Sequence, residues 1–302
     1  MAVLVEQPTV MKCTGWGVDD GYHLLDSGGG RKLEQFGDYT FIRPEPQAMW
    51  QPRVPWKAAG EFVPGSDEDG GGRWVMEREL PENGWELGWE TVRFTAQPTP
   101  FRHLQFFPDM APVWEWMREQ LDGRTDAQTL NLFGYTGLGS LALSDHGPVT
   151  HVDASKKSVA QARENAALSG MEDRPIRWLV DDAAKFTARE VRRERRYDGI
   201  ILDPPKFGRG PKNETWRLEE GLPTLIGDCA KLLDANSSFL FLTVYAVRMS
   251  SLAIAGLLEE ALRDLPGTIE HGDLAVLEEG LGEDAPQRLL PTAIFARWSN
   301  PG

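Results

Sequence analysis

From about residue 110 onward, short apolar runs alternate with amphipathic stretches, the pattern of a parallel sheet with helices on both faces. The apolar runs predict strands at 129–133, 149–153, 176–182, 197–203 and 238–244. Between them, helical spacing predicts helices at about 111–121, 138–145, 155–168, 183–195, 215–234 and 250–264. Two further strand candidates, 269–277 and 292–298, flank an irregular acidic loop and suggest an antiparallel hairpin closing one sheet edge. The expected fold class for 101–302 is α/β, a seven-stranded, mostly parallel sheet.

Residues 1–100 have another texture and predict a separate small β-rich domain. They hold six of the eleven tryptophans (Trp16, Trp50, Trp56, Trp74, Trp85, Trp89), as core or as an interface, among short runs broken by Gly and Pro. Residues 22–25 and 31–34 read as strands around a turn at 26–30, followed by a strand at 39–42. Residues 73–80 and 85–94 read as a hairpin on Pro81-Glu82-Asn83-Gly84. The acidic, glycine-rich segment 65–72 reads as an exposed loop, without the later Glu of a calcium loop.

Composition narrows the class. With 41% hydrophobic and 26% charged residues, the 302-residue chain falls in the ordinary range of globular proteins and has length for a sizeable core. No run reaches the roughly 18 apolar residues of a membrane span, and the first residues show no basic leader, so membrane and secreted readings are disfavoured. Cys13 and Cys229 stand apart with no Cys/His grouping, which predicts neither disulfide nor metal and fits a cytoplasmic location. Lys+Arg 32 against Asp+Glu 46 leaves a net charge of −14, the wrong sign for holding nucleic acid by bulk electrostatics. A local basic patch is still compatible with that balance.

The first parallel strand runs through Asn131-Leu132-Phe133 into Gly134-Tyr135-Thr136-Gly137-Leu138-Gly139, a glycine turn opening a helix. Glycines there let backbone N–H groups approach a ligand, and the helix N-terminus adds positive potential; packing of the helix start is the alternative reason for them. About twenty residues on, Asp153 ends the second strand, where a carboxylate can accept both hydroxyls of a ribose or cap the next helix. Gly-x-x-Gly-x-Gly is not the dinucleotide spacing, so a mononucleoside cofactor fits better. S-adenosylmethionine, with ribose and adenine but no phosphate, suits this turn.

The fourth strand ends in Asp203-Pro204-Pro205-Lys206-Phe207. Two prolines stiffen the backbone where the sheet opens, and carbonyls there are expected to point outward as acceptors beside a methyl donor. With these residues the chain resembles class I S-adenosylmethionine-dependent methyltransferases, and among them the bacterial large-subunit ribosomal RNA methyltransferases that carry Asp-Pro-Pro-Lys-Phe after the fourth strand. The resemblance implies a Rossmann-like methyltransferase domain over 101–302 and S-adenosylmethionine as cofactor. It implies a cofactor loop at Phe133, Gly134, Tyr135, Thr136 and Gly137, a ribose-binding Asp153 followed by Ala154, and an adenine-binding turn at Asp182 and Ala183. Phe107 and Asp109 resemble the segment covering the methionine end, although Met110 stands where that family has glutamine. Members that methylate carbon 5 of cytosine carry a cysteine after the fifth strand. This chain has Phe241 through Val247 there and no cysteine, so that chemistry is not expected.

The candidate roles follow. Asp203, with Pro204, is expected at the methionine amino group or a substrate N–H, and Lys206 at a substrate phosphate or carboxylate. Pro205, Phe207, Arg209 and Lys212 are candidate substrate residues, and Phe207, Tyr245 or Trp216 could stack on a planar base. Arg189, Arg192, Arg193, Arg195 and Arg196 read as a solvated helix end away from the active face, whereas Lys206, Arg209, Lys212 and Arg217 lie on it. RNA is the expected partner. A protein or small-molecule acceptor, a non-catalytic cofactor-binding role and a homo-oligomer all remain open at the level of sequence.

Overall fold

In the computed structural model, which describes residues 1–17, 19–65, 71–245, 248–279 and 287–300, the apolar runs of the second half pair into one nine-stranded sheet. Its strands are β1 (Ala2–Leu4), β2 (Thr9–Cys13), β3 (Thr129–Leu132), β4 (Val149–Asp153), β5 (Ile176–Val180), β6 (Gly199–Leu202), β7 (Phe239–Tyr245), β8 (Gly267–Leu277) and β9 (Leu289–Ser299). The helices are α1 (Ala111–Gln120), α2 (Leu138–Leu143), α3 (Lys156–Leu168), α4 (Ala183–Arg192), α5 (Leu218–Lys231) and α6 (Ser251–Ala261). The strand order is β1-β8-β9-β7-β6-β3-β4-β5, with β2 also paired to β8. All pairs from β5 to β7 are parallel and β7/β9 is antiparallel.

The seven expected strands are all present in a mostly parallel sheet. The predicted closing hairpin is not its edge, however, because β1 and β2 from the chain start pair with β8. Three residues, Ala2 to Leu4, carry no periodicity that could announce a partner 265 positions away at Gly267. The central strands read as uninterrupted apolar runs because both faces are covered: every residue of β3 and β6 is buried. Leu130, Leu132, Ile200, Leu202, Leu240 and Leu242 form a core with Leu222, Leu225 and Ile226 of α5. Truncating any of these leucines to alanine is expected to cost about 2–5 kcal/mol. That rigid layer fixes where the loops after β3, β4, β5 and β6 begin.

The chain divides into two compact units: Met1–Met11, Pro112–Leu274 and Ala293–Gly302 form one, and Lys12–Ala111 with Ala275–Thr292 form the other. This division differs from a single cut near residue 100, since the chain start joins the parallel sheet and the 275–292 segment joins the β-rich unit. The β-rich unit holds a five-stranded sheet in the order Tyr22–Gly28, Arg31–Phe36, Tyr39–Pro44, Gly60–Pro64, Gly72–Met76, and a separate hairpin, Trp85–Trp89 with Val92–Ala96. The expected hairpin around Pro81 to Gly84 is thereby corrected. Gly72–Met76 pairs back to Gly60–Pro64, and the second hairpin turns at Glu90, which takes a left-handed φ of 49°. The acidic loop read at 65–72 lies largely outside the described residues.

Of the six tryptophans of this unit, Trp89 is buried and the other five are half-buried. Trp16, Trp74 and Trp85 donate their indole N–H to the carbonyls of Gly88, Thr99 and Phe36, and Trp56 donates to Asp26 Oδ2 at 2.7 Å. Beneath them, Glu34 is fully buried between Tyr22 (2.8 Å) and a two-pronged contact from Arg43 (2.6 and 2.8 Å). Burial opposes its charge, but Arg43 and Lys32 hold its carboxyl down at about 2.

Candidate active site

The loop leaving β3 is drawn into an uncommon conformation. Phe133 and Tyr135 take left-handed φ values of 58° and 48°, and Gly137, which precedes α2, takes 88°. For non-glycine residues this costs of order 1–3 kcal/mol each and persists only where the surroundings dictate it. Here Gly134 N–H donates to Val152 O (3.1 Å), Gly137 N–H to Gly134 O (3.0 Å), and the buried Asn165 amide of α3 to Thr136 O (3.0 Å). A Cβ on Gly134 would lie 2.5 Å from the His151 ring, and one on Gly137 2.7 Å from Ala162 Cβ. The glycines therefore answer to packing within the protein. Beneath the loop, Asn131 Nδ2 donates to Ser140 Oγ (2.9 Å), which lies 3.0 Å from His151 Nδ1. Burial depresses the His151 pKa to about 3, so the imidazole is neutral.

Asp153 closes the same loop. Its Oδ2 accepts Tyr135 N–H (3.0 Å) and its Oδ1 accepts Ser155 N–H (2.8 Å). The cap of α3 is Ser155, whose hydroxyl accepts Ser158 N–H, so capping does not account for Asp153. Burial raises the Asp153 pKa, and the two N–H donors pull it back. Each carboxylate oxygen has accepted one N–H and retains a second lone pair, which is what a vicinal diol needs. Ala154, half-buried, follows it.

After β5, Asp181 N–H donates to Asp153 O (3.0 Å), tying this turn to the previous one. Asp182 caps α4 by accepting Lys185 N–H at 2.9 Å, and Ala183 is buried behind it. Arg189 differs from the expectation of a helix end facing away from the site. Its guanidinium reaches back from the second turn of α4 to pair with Asp181. Arg193 pairs with Glu190, which also accepts from Tyr197.

After β6, Asp203 Oδ1 accepts the hydroxyl of Thr243 at 2.7 Å, a residue of β7. Pro204 is buried, whereas Pro205, Lys206 and Phe207 are exposed. The chain then forms a two-stranded antiparallel ribbon, Phe207–Arg209 with Thr215–Arg217, so that 215–217, which helical spacing assigns to the start of a helix, is a strand. The Pro205 carbonyl does not point outward; it accepts the Trp216 indole N–H at 2.7 Å. Trp216 is correspondingly buried, its ring 5.1 Å from that of Phe133, which removes it from the surface where a base could stack. The register puts Phe207, Arg209, Thr215 and Arg217 on the opposite, exposed face. Arg209 lies over the Phe207 ring at 5.8 Å, and Lys206 and Lys212 flank the ribbon, exposed. Tyr245 is half-buried at the end of β7, and Ala246 and Val247 lie outside the described residues.

The structure thus brings Phe133, Gly134, Tyr135, Thr136, Gly137, Asp153, Asp182, Ala183, Asp203 and Pro204 to the carboxyl ends of four adjacent parallel strands, where open α/β sheets bind ligands. Phe107 and Asp109 belong to the β-rich unit, where Asp109 is buried in a short 3-10 helix, Pro108–Met110, and the Phe107 ring lies 4.7 Å from that of His103. Sequence reading missed Thr243, Ser140, His151 and Asn165. For the two strand residues the signal is register: Leu202 faces Leu242, which places Thr243 beside Asp203, and Asn131 faces His151; Ser140 and Asn165 reach the loop from α2 and α3. Among the described residues, no group of three or more His, Cys, Asp or Glu could hold a metal, and no helix is long and apolar enough to cross a membrane.

Residues 67–257 match the family of S-adenosylmethionine-dependent methyltransferases. The crystal structure of a SAM-dependent methyltransferase from Agrobacterium tumefaciens superposes with a TM-score of 0.91 at 40% identity, covering 99% of this chain and 95% of that one. Ribosomal RNA large subunit methyltransferase I of Alteromonas mediterranea is 36% identical over 84 residues, 27% of this chain and 21% of that protein. Ribosomal RNA large subunit methyltransferase K/L of Shewanella frigidimarina is 30% identical over 153 residues, 50% of this chain and 21% of that protein. The chain spans about a fifth of the length of these two curated relatives. With the parallel sheet, the loop on Asp153 and a match covering well over half its length, the chain belongs to the S-adenosylmethionine-dependent methyltransferase family.

Proposed function

We propose that this protein transfers the methyl group of S-adenosylmethionine to RNA of the large ribosomal subunit, in the cytoplasm, at a position that needs no cysteine adduct. The observation that carries the acceptor is the ribbon. Immediately beyond Asp203, one exposed face presents Phe207 between Arg209 and Arg217, with Lys206 and Lys212 beside it. An exposed aromatic among cations suits an unpaired base and its phosphates. It supplies locally the positive charge that the −14 chain lacks overall. The Asp203-Pro204-Pro205-Lys206-Phe207 motif, with its resemblance to that of bacterial large-subunit ribosomal RNA methyltransferases, and the two RNA-methylating relatives support the same reading.

The bound cofactor would supply an electrophilic methyl group on a sulfonium. In this reading the second lone pairs of Asp153 hold the ribose hydroxyls. Asp182 and Ala183 flank the adenine, and the backbone from Phe133 to Gly137 lines the methionine portion. Asp203, oriented by Thr243, accepts from the methionine amino group or the acceptor N–H beside Pro204. Rate then comes from in-line positioning and exclusion of water. Lys206, Arg209, Lys212 and Arg217 hold acceptor phosphates. The net charge of −14 favours a second reading, a protein or small-molecule acceptor at the same site.

The test is methyl transfer from labelled S-adenosylmethionine into an extract of cells lacking this protein, separated into RNA, protein and small-molecule fractions. Label in ribonuclease-sensitive, large-subunit material is expected. Label confined to protein or metabolites replaces RNA by the second reading, and confirmed cofactor binding without any transfer rejects the enzyme.

A further inference from the structure

The ribbon is too short to hold itself. Strands of three residues on either side of a turn are at best marginal in water, and at its base Trp216 provides one anchor by donating to Pro205 O. At its tip stands Glu214. Its Oε2 accepts the backbone N–H of Lys212 at 2.7 Å, while its own carbonyl accepts Gly210 N–H at 2.8 Å around Asn213, which has a left-handed φ of 63°. The other oxygen, Oε1, lies 2.7 Å from Lys185 Nζ on α4. The partner is oddly placed for a helix. Lys185 is the third residue of α4, where the positive end of the helix disfavours a cation; the capping Asp182 carboxylate offsets this in part, and no acidic residue follows in the first turn. Helix stability does not explain a lysine here, and an exposed ion pair contributes little to global stability. What the pair does do is span from the turn of Asp182 and Ala183, after β5, to the ribbon after β6. The hydrogen bond from Lys185 holds the Glu214 carboxyl at about 2, so the pair stays charged at neutral pH.

We propose that Lys185 and Glu214 are positioning residues: their ion pair fixes the tip of the ribbon to α4, and so sets the acceptor-binding face against the turn assigned to adenine. The acceptor half of this inference rests on the RNA-methylating reading; the anchoring half does not.

The experiment compares wild type with Lys185→Met, which keeps the helical propensity and removes the charge, and Lys185→Arg, which keeps the cation. Amide hydrogen exchange across 207–217, S-adenosylhomocysteine affinity by calorimetry, and KM and kcat with large-subunit ribosomal RNA from cells lacking the protein are measured for each. Lys185→Met is expected to speed exchange in 207–217 about threefold, the scale of an exposed ion pair, and to raise KM for RNA by about the same factor. Its kcat and S-adenosylhomocysteine affinity should stay within about twofold of wild type, and Lys185→Arg should behave as wild type. Unchanged exchange in Lys185→Met overturns the anchor. Faster exchange with an unmoved KM overturns the positioning role. If wild type itself transfers nothing to RNA, the RNA reading falls, and the anchor stands or falls on the exchange measurement alone.

Discussion

Two loops leave adjacent strands at the same end of the sheet, and they are held in different ways. The loop after β3 is locked from below: Asp153 accepts Tyr135 N–H, Asn165 donates to Thr136 O, and the Asn131–Ser140–His151 group is buried under it. The ribbon after β6 is held at its base by the Trp216 indole bond and by Leu218 N–H donating to Lys206 O (3.0 Å), and at its tip by an ion pair largely exposed on the lysine side. The loop of the candidate cofactor site rests on buried polar groups that hydrogen-bond one another, with His151 Nε2 buried and without a partner. The ribbon keeps its cations in water, where their field reaches a partner before contact. The comparison predicts that the two loops fail under different perturbations.

Removing Asp153 should have the largest effect. Asp153→Ala leaves Tyr135 N–H and Ser155 N–H without their acceptor and removes both contacts proposed for the ribose. S-adenosylhomocysteine affinity, measured by calorimetry, should fall on the order of a hundredfold. Unchanged affinity would remove the ribose assignment. Next is Thr243→Val, an isosteric change that deprives Asp203 Oδ1 of its 2.7 Å donor. Turnover with RNA should drop about tenfold, as expected for losing one hydrogen bond to a charged group; retained cofactor affinity would assign Asp203 to the acceptor N–H, and a parallel fall would assign it to the methionine amino group. A loss confined to thermal stability would show that Thr243 supports only the strand end. Trp216→Phe, which keeps an aromatic ring but loses the bond to Pro205 O and part of the buried volume, should cost about 1–3 kcal/mol by denaturant titration and loosen the ribbon first.

Acid separates the two loops by order of events. His151 has a pKa depressed from 6.5 to about 3, so the unfolded chain binds the proton first. Its contribution to stability is complete above 6.5 and is lost as pH falls toward 3. Glu214, depressed from 4.5 to about 2, contributes fully above 4.5 and loses its contribution only below that. Exchange protection should therefore fall first in 133–140 and later in 207–217 as pH is lowered. The reverse order would contradict the assignment of His151 as the neutral support of the cofactor loop.

The parts of the site that are local are legible in the sequence. The apolar runs, the glycine turn and Asp153 at a strand end all lie within one strand-turn-helix unit, so periodicity and turn chemistry expose them. Contacts that cross the sheet are not legible there. Thr243 is an unremarkable residue of a buried strand until the β6/β7 register sets it beside Asp203. Arg189 looked like one of five arginines at a solvated end until α4 turned it toward Asp181. The ribbon was hidden because 215–217 continues a helical pattern into α5. What makes it a strand pair is the burial of Trp216 and its bond to a carbonyl eleven residues earlier.

The sequence alone determined the parallel α/β class, the strand ends that carry the candidate chemistry and that no cysteine stands among residues 241–247, because these depend on residue type and spacing along one stretch of chain. Tertiary structure alone decided that residues 2–4 and 9–13 extend the sheet. It also decided that Asp153 is committed to the β3 loop rather than to a helix cap, and that Lys206 to Arg217 form an anchored cationic face. Those outcomes depend on pairings between distant segments, whose register follows from packing of the whole sheet and leaves no signature in any short window of sequence.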